Sequence, residues 1–507
     1  MALAAALRLP RLAVSPGWDG DEGYNLNIAW HLAQGRAQMF ALSYAFVQHP
    51  AGFYAVAAVL LRLFGRDLVV VRDLAAAATS LGTGAIYLAL APESGRRAAL
   101  LGALALAVVP FAATYNRFAY TYNLLLLWTA LALLGTCRWE ATRERRWLVL
   151  AIVAAALGGL TDHEGLALAL FVAARAWPNR RLAAVALAGS ALPSVAAALA
   201  ALLLWPSAAL QDWQASLARV GGLAFGEAPR AAGQAGPAGR LAAAAAAWFA
   251  NELHLLRAEW WWPAAVAGLF CLRPRAACRR ALLLSGLLAL PIFALRPLEP
   301  FFRTGIPLLV PAALGLGRLL DRGIEAAFDV AGVPAGAAGR ARWGPRLGGA
   351  ALAAVVVVLP LGLEAGRTAG SLVAEPGLPT PFDWALTRDV AAARAAAAYV
   401  NARTAPSDVV LASPQVAWLY TAQVADLFQA LAAAGQPIAF YPPGLPPARF
   451  QFDPRPEHAR YVVLDGYWDR WAAEVPVVAR LVASIEQWPL DWQRGEYRVH
   501  RHPDGLD

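Results

Sequence analysis

Residues 18–35 read WDGDEGYNLNIAWHLAQG. Three carboxylates, Asp19, Asp21 and Glu22, fall within one short stretch ahead of Tyr24. Beyond Tyr24, apolar side chains recur at 26, 28, 29, 32 and 33, the spacing of a helix with one greasy face, and Gly35 can end it. Such a helix lies along a membrane surface, which sets the acids at the boundary between lipid and water. The same acids also suit a solvated turn, because Asp and Glu favour the positive end of the helix they precede.

Outward from this stretch the chain is apolar. Of 507 residues, 59% are hydrophobic and 15% charged, against roughly 25% charged in soluble domains. The segment before the acids, MALAAALRLPRLAVSP, carries Arg8, Pro10 and Arg11 and is too short to span alone. It reads as the tail of a first helix, shortened at the start, or as an interfacial anchor. Candidate spans follow at 68–91, 98–115, 121–137, 147–161, 165–177, 181–205, 260–272, 280–295, 304–320 and 347–365. With the first they make about 11 transmembrane helices, several of them shorter than the roughly 20 residues that a bilayer asks for. The run 51–64 is short and holds Arg62, so it reads as interfacial or re-entrant. The fold class is an α-helical polytopic membrane protein.

Orientation follows from arginine, the only basic residue besides histidine. Arg96-Arg97, Arg138 to Arg146, Arg180-Arg181, Arg273 to Arg280 and 318–346 are basic, and they alternate with loops such as 116–120 and 162–164 that carry almost no positive charge. Cytoplasmic loops of membrane proteins are the basic ones. The chain is therefore expected in the plasma membrane, with 17–50, 206–259 and everything past 366 outside the cytoplasm. The net charge of +9 is scattered between apolar runs, so nucleic acid is not an expected partner. Cys137, Cys271 and Cys278 fall near cytoplasmic ends and form no disulfide framework.

The division expected is 1–370 for the membrane domain and 371–507 for a small extracytoplasmic α/β domain. In the latter, RDVAAARAAAAYVNAR reads as a helix, and SDVVLAS, ARYVVLDG and EYRVHRH read as strands. The proline-rich stretch 435–456 reads as an irregular loop.

The order of features resembles the GT-C glycosyltransferases, in particular the protein O-mannosyltransferase and aminoarabinose transferase families. The motifs that carry the resemblance are Asp21-Glu22 with Tyr24, then HLAQGR, then His49-Pro50, LRLFG and Arg72, then Pro110 with Arg117, and finally Arg303 ahead of TGIPLLVP. His49 is followed by a single proline, where the families carry two. After Arg117 the families place an Asp, whereas this chain reads FAYTYN, with Asn123 as the nearest polar residue. Where they often carry a cation before Gly, this chain has Asp162-His163-Glu164-Gly165, which reverses the local charge.

The resemblance implies an inverting transferase that takes a sugar from a polyprenyl-phosphate donor and passes it to an acceptor hydroxyl of a glycan, lipid or protein. Asp21 is the expected general base, with Glu22 and Asp19 orienting the acceptor or tuning it. Arg303 and Arg117 are the expected holders of the leaving phosphate, since a guanidinium grips phosphate with two prongs and stays protonated. Tyr24, His49 and Arg72 complete the motif residues. Asp162, His163 and Glu164 are expected to bind acceptor or form a salt network. A divalent metal there is the other reading, and it needs donors from elsewhere, such as Asp19, because three consecutive residues cannot all face one ion. No cofactor is required by the reaction. The rival readings are a transporter or flippase of lipid-linked sugars, which calls for charges at the bilayer midplane, and a polysaccharide polymerase or ligase of another membrane family.

The orientation is open to direct test. In a chain freed of native cysteines, Ser407→Cys should react with a membrane-impermeant thiol reagent in intact cells. Reaction only after lysis would place the C-terminal domain in the cytoplasm.

Overall fold

The computed structural model describes residues 1–35, 50–207, 209–210, 213, 259, 261–271, 275–295, 303–331, 343–374, 386–436, 438, 441 and 445–504. Two compact units divide the chain. The first takes Met1–Pro10, Ala75–Ala197 and Leu241–Pro376, and the second takes Arg11–Leu74, Ala198–Arg240 and Gly377–Asp507.

The first unit is helical. Ala2–Arg8, Arg96–Val108, Pro110–Tyr115, Thr121–Thr142, Arg145–Thr161, Leu166–Ala176, Trp261–Phe270, Arg275–Leu295, Leu309–Val330 and Trp343–Ala374 lie within it. Leu68–Ser94 and Arg180–Leu204 each lie mostly within it and have one end in the second unit's stretch of chain. Each of the ten apolar runs read from the sequence carries a helix. The run 98–115 is broken where Val109 is extended and Pro110, lacking an N–H, starts a new turn. Among the described residues, Leu68–Pro92, Thr121–Thr142, Arg180–Leu204 and Gly348–Gly370 are long and apolar enough to cross a membrane.

Ion pairs join several of the arginine-bearing helix ends in this unit. Glu140 accepts from Arg175 at 2.6 Å and from Arg280, which joins three basic segments. Asp321 pairs with Arg97 and Arg318, joining two more. At other helix ends, Thr121 donates to Asp162 at 3.0 Å, and Arg303 lies over the ring of Tyr120.

Glycines set the closest helix crossings. A methyl group on Gly315 would lie 1.9 Å from the carbonyl oxygen of Ala265, and one on Gly268 would lie 1.9 Å from that of Gly315. Gly317 meets Ala98, and Gly102 meets Ala313, each at 2.3 Å. Leu309–Val330 therefore packs backbone to backbone against helices on two sides, as small residues allow within lipid.

The second unit holds a five-stranded sheet. Its strands are β1 (Val409–Leu411), β2 (Gln423–Ala425), β3 (Ala459–Leu464), β4 (Leu490–Arg494) and β5 (Tyr497–Arg501), in the order β2-β1-β3-β5-β4. β1 runs parallel to both β2 and β3, and β5 runs antiparallel to β3 and β4. The expected helix forms at Val390–Asn401, capped by Asp389. Leu411, Leu427, Phe428, Val462, Leu464, Trp468 and Ile485 make the core beneath the sheet. The helices Gly20–Ala33 and Gly52–Phe64 belong to this same unit, and a Tyr54 hydroxyl donating to Asn25 at 3.0 Å ties them.

Gly315→Leu should abolish a monodisperse, folded product in detergent, because the new side chain meets backbone that cannot move aside. Gly362→Leu, at a position with open space around it, should leave the elution profile unchanged. Equal behaviour of the two variants would contradict the packing.

Candidate active site

The acidic turn opens the helix Gly20–Ala33. Asp19 is its N-cap, with extended backbone and a carboxylate that accepts the Asp21 N–H at 2.9 Å. Glu22 returns the favour by accepting the Asp19 N–H at 3.1 Å, which closes a capping box. Glu22 has a second partner. It is fully buried against a fully buried Arg72, whose Nε donates to Oε1 at 2.7 Å and whose second nitrogen donates to Oε2 at 2.5 Å. Arg72 spends its remaining donors on the carbonyls of Leu12 at 2.7 Å, Ser15 at 3.3 Å and Gly17.

The same turn is gripped by the C-terminal part of the chain. Trp18 exchanges two backbone hydrogen bonds of 2.9 Å with Thr387. Its ring meets Trp418 edge-on at 5.1 Å, with the Arg394 guanidinium 5.3 Å from the Trp18 centroid. A methyl group on Gly23 would fall 1.8 Å from the Pro414 carbonyl oxygen, so no larger residue fits there. The Tyr24 hydroxyl donates to Asp426, which caps the helix Leu427–Ala433 and forms a second capping box with Gln429.

Asp19 and Glu22 thus hold the turn, while Asp21, half-buried, contributes its backbone N–H to the cap. The surroundings of Asp21 are acidic and phenolic. Burial raises the Asp426 carboxyl to about 6 against the hydrogen bonds it accepts. The Tyr467 phenol is raised well above its usual value by burial first, then by the Asp426 charge, with Asp21 and Asp19 adding to it. Tyr24 is raised by burial and then by Asp426. Asp426 and Tyr467 were not among the residues picked from the sequence. The only local signal was the D-x-x-Q of a capping box at Asp426 to Gln429, which reads as a helix start.

The other expected residues lie in the first unit. Arg303 is half-buried, its guanidinium carbon 5.9 Å from the centre of the Tyr120 ring, which stacks on Phe118. Arg117 is buried and donates to the carbonyls of Leu7 at 3.4 Å and Pro10 at 2.5 Å. The Asn123 amide donates to Tyr115 and Phe118 carbonyls at 3.0 and 2.7 Å, shaping the loop between them. Asp162 is buried, takes the Thr121 hydroxyl and caps the short turn His163–Gly165 by accepting the Glu164 N–H at 3.1 Å. Glu164 is buried and His163 is exposed. Among the described residues, no group of three or more His, Cys, Asp or Glu is placed to hold a metal ion. His49 lies outside the described residues.

Residues 48–209 match the family model described as dolichyl-phosphate-mannose-protein mannosyltransferase, a match that begins after the acidic turn. Among solved structures, ArnT from Cupriavidus metallidurans bound to undecaprenyl phosphate aligns with a TM-score of 0.59 at 17% identity, over 98% of this chain and 96% of that one. The Archaeoglobus fulgidus oligosaccharyltransferase, in a complex with Zn and sulfate, aligns with a TM-score of 0.56 at 14% identity, over 94% of this chain and 68% of that one. No curated protein matches the chain by sequence. The fold likeness extends over nearly the whole chain, including the C-terminal sheet.

The ion pair at the centre of the turn gives a clear expectation. Glu22→Gln keeps the shape but leaves Arg72 buried and unpaired, a loss worth about 3–5 kcal/mol. The purified variant should lose its folded elution peak at a much lower temperature than the wild type, and Asp21→Asn should not. A Glu22→Gln protein as heat-resistant as the wild type would show that the pair does not hold the turn.

Proposed function

We propose that this chain, whose fold is that of ArnT, is a membrane glycosyltransferase of the GT-C type that transfers a sugar from a polyprenyl-phosphate donor to an acceptor hydroxyl on the extracytoplasmic side, with inversion. The observation that carries the reading is the acidic turn. Two of its three carboxylates are engaged in capping and ion pairing, and Asp21 stands at the half-buried position beside them. The donor class is supported by the family matched over 48–209 and by the undecaprenyl phosphate bound to ArnT. The outward face is supported by the arginine pattern, and 371–507 is the domain we assign to that face.

In the proposed reaction the acceptor oxygen attacks the anomeric carbon from the side opposite the phosphate. The bond from that carbon to the phosphate oxygen breaks, and polyprenyl phosphate leaves with the electron pair. Asp21 takes the proton of the acceptor hydroxyl. The leaving phosphate is stable as an anion at neutral pH, so no general acid is needed. Arg303 holds it, since a guanidinium neutralises and fixes a phosphate through paired donors. Arg117, whose donors go to backbone carbonyls, serves in this account to shape the loop it sits in. Glu22 and Arg72 position the turn, and Asp19 caps it. Asp162 and Glu164 are assigned to acceptor binding, without a metal as an essential part.

Asp21→Asn preserves size and most hydrogen bonding but cannot take a proton. General-base catalysis contributes about 10²–10⁴ in rate, so kcat should fall by that order while the donor still binds. Arg303→Ala should chiefly raise the KM for the donor. Near-normal turnover of Asp21→Asn would move the base elsewhere.

A further inference from the structure

The second unit contains a polar cavity of about 730 Å³ that the proposed chemistry does not use. One wall is the face of Gly20–Ala33 that carries Trp30, together with Arg66 from the turn before Leu68. The opposite wall comes from the C-terminal part of the chain through Gln423, Gln451 and Phe452, and Trp205 completes the lining. Trp30, Trp205 and Phe452 are each half-buried, so each is partly open at the cavity they line.

Arg66 is fixed in place. It donates to the Tyr420 carbonyl at 2.9 Å and to the Asn27 side-chain oxygen at 3.0 Å, and its guanidinium carbon lies 5.8 Å from the Trp30 centroid. Its Nε is buried and meets no acceptor among the described residues. The lining holds this cation, histidine and several amides, and no carboxylate among the described residues.

We propose that this cavity binds a saccharide, and that its occupant is an acceptor glycan bearing an acidic group. The C–H bonds on one face of a sugar ring carry partial positive charge and are attracted to the negative face of an aromatic ring. Side-chain amides offer both donors and acceptors, which suits hydroxyl groups that do the same. A fixed guanidinium, in a lining without acids among the described residues, adds a positive charge for a carboxylate or phosphate on the sugar. Aromatic faces beside a few placed polar groups are the ordinary make-up of a small-molecule site. The acceptor role rests on the transferase reading, whereas saccharide binding stands apart from it.

The test reads binding without turnover. Full-length protein in detergent is mixed with trigalacturonate, an acidic saccharide, and with maltotriose, a neutral one. Binding is followed by saturation-transfer NMR and by calorimetry. Trigalacturonate should bind, and more tightly than maltotriose. Phe452→Ala and Trp205→Ala, confirmed as folded by elution and melting temperature, should each weaken it about five- to tenfold, the range of one aromatic contact. Arg66→Gln should remove the preference for the acidic sugar. Asp21→Asn should bind it as the wild type does, so an error in the catalytic reading leaves this outcome untouched. Absence of binding by either saccharide, or folded aromatic variants that bind as the wild type does, would overturn the proposal even if sugar transfer were demonstrated.

Discussion

A carboxylate and a guanidinium that water does not reach hold the start of the helix Gly20–Ala33. Glu22 and Arg72 are both fully buried, so each would be costly alone. The pair does more than cancel charge. Arg72 gathers three carbonyls from the chain leading into the turn, and Glu22 also takes the N–H of the N-cap residue. One ion pair therefore fixes the path of residues 12–22. Asp21 sits between two residues that cannot move without breaking it. A general base works only when it is held within reach of its proton, and this arrangement would meet that need for Asp21 in the proposed role.

The grip continues through the second unit. Gly23 admits the Pro414 carbonyl, Trp18 is enclosed by Trp418 and Arg394, and Tyr24 reaches the cap of a C-terminal helix. The acidic turn is thus built into the same compact unit as the C-terminal sheet. That union explains why the Tyr467 phenol, hundreds of residues away in sequence, is raised by burial and then by the charges of Asp426, Asp21 and Asp19.

Much of the helical architecture was legible because apolar runs and arginines repeat along the chain and each signal is local. The acidic turn was legible for the same reason, as acids ahead of an amphipathic stretch. The roles within it were not. Asp19 reads as a solvated companion until its carboxylate is seen capping the helix, and Glu22 reads as a tuning group until Arg72 is seen beside it. Those roles depend on contacts between segments, which spacing does not encode. In the sheet, β1 and β3 showed themselves as valine-rich runs, and β5 as Tyr497 and Val499 alternating with basic residues. β2, only Gln423–Ala425, is too short to carry a period, and β4 is largely polar because it lies at the edge. Asp162-His163-Glu164 looked like a ligand cluster in one dimension. Its turn geometry buries the two acids and turns the histidine out.

In the proposed reaction this chain breaks the bond between the sugar's anomeric carbon and the lipid phosphate, with Asp21 as the proton acceptor. The most direct measurement places purified protein in lipid nanodiscs with a radiolabelled polyprenyl-phosphate sugar and an acceptor-containing membrane extract, and follows free polyprenyl phosphate and labelled product together. The account predicts that the two appear in equal amounts with the wild type and that both nearly vanish with Asp21→Asn. Intact donor throughout, combined with movement of the labelled lipid between leaflets of sealed vesicles, would contradict it and identify a transporter instead.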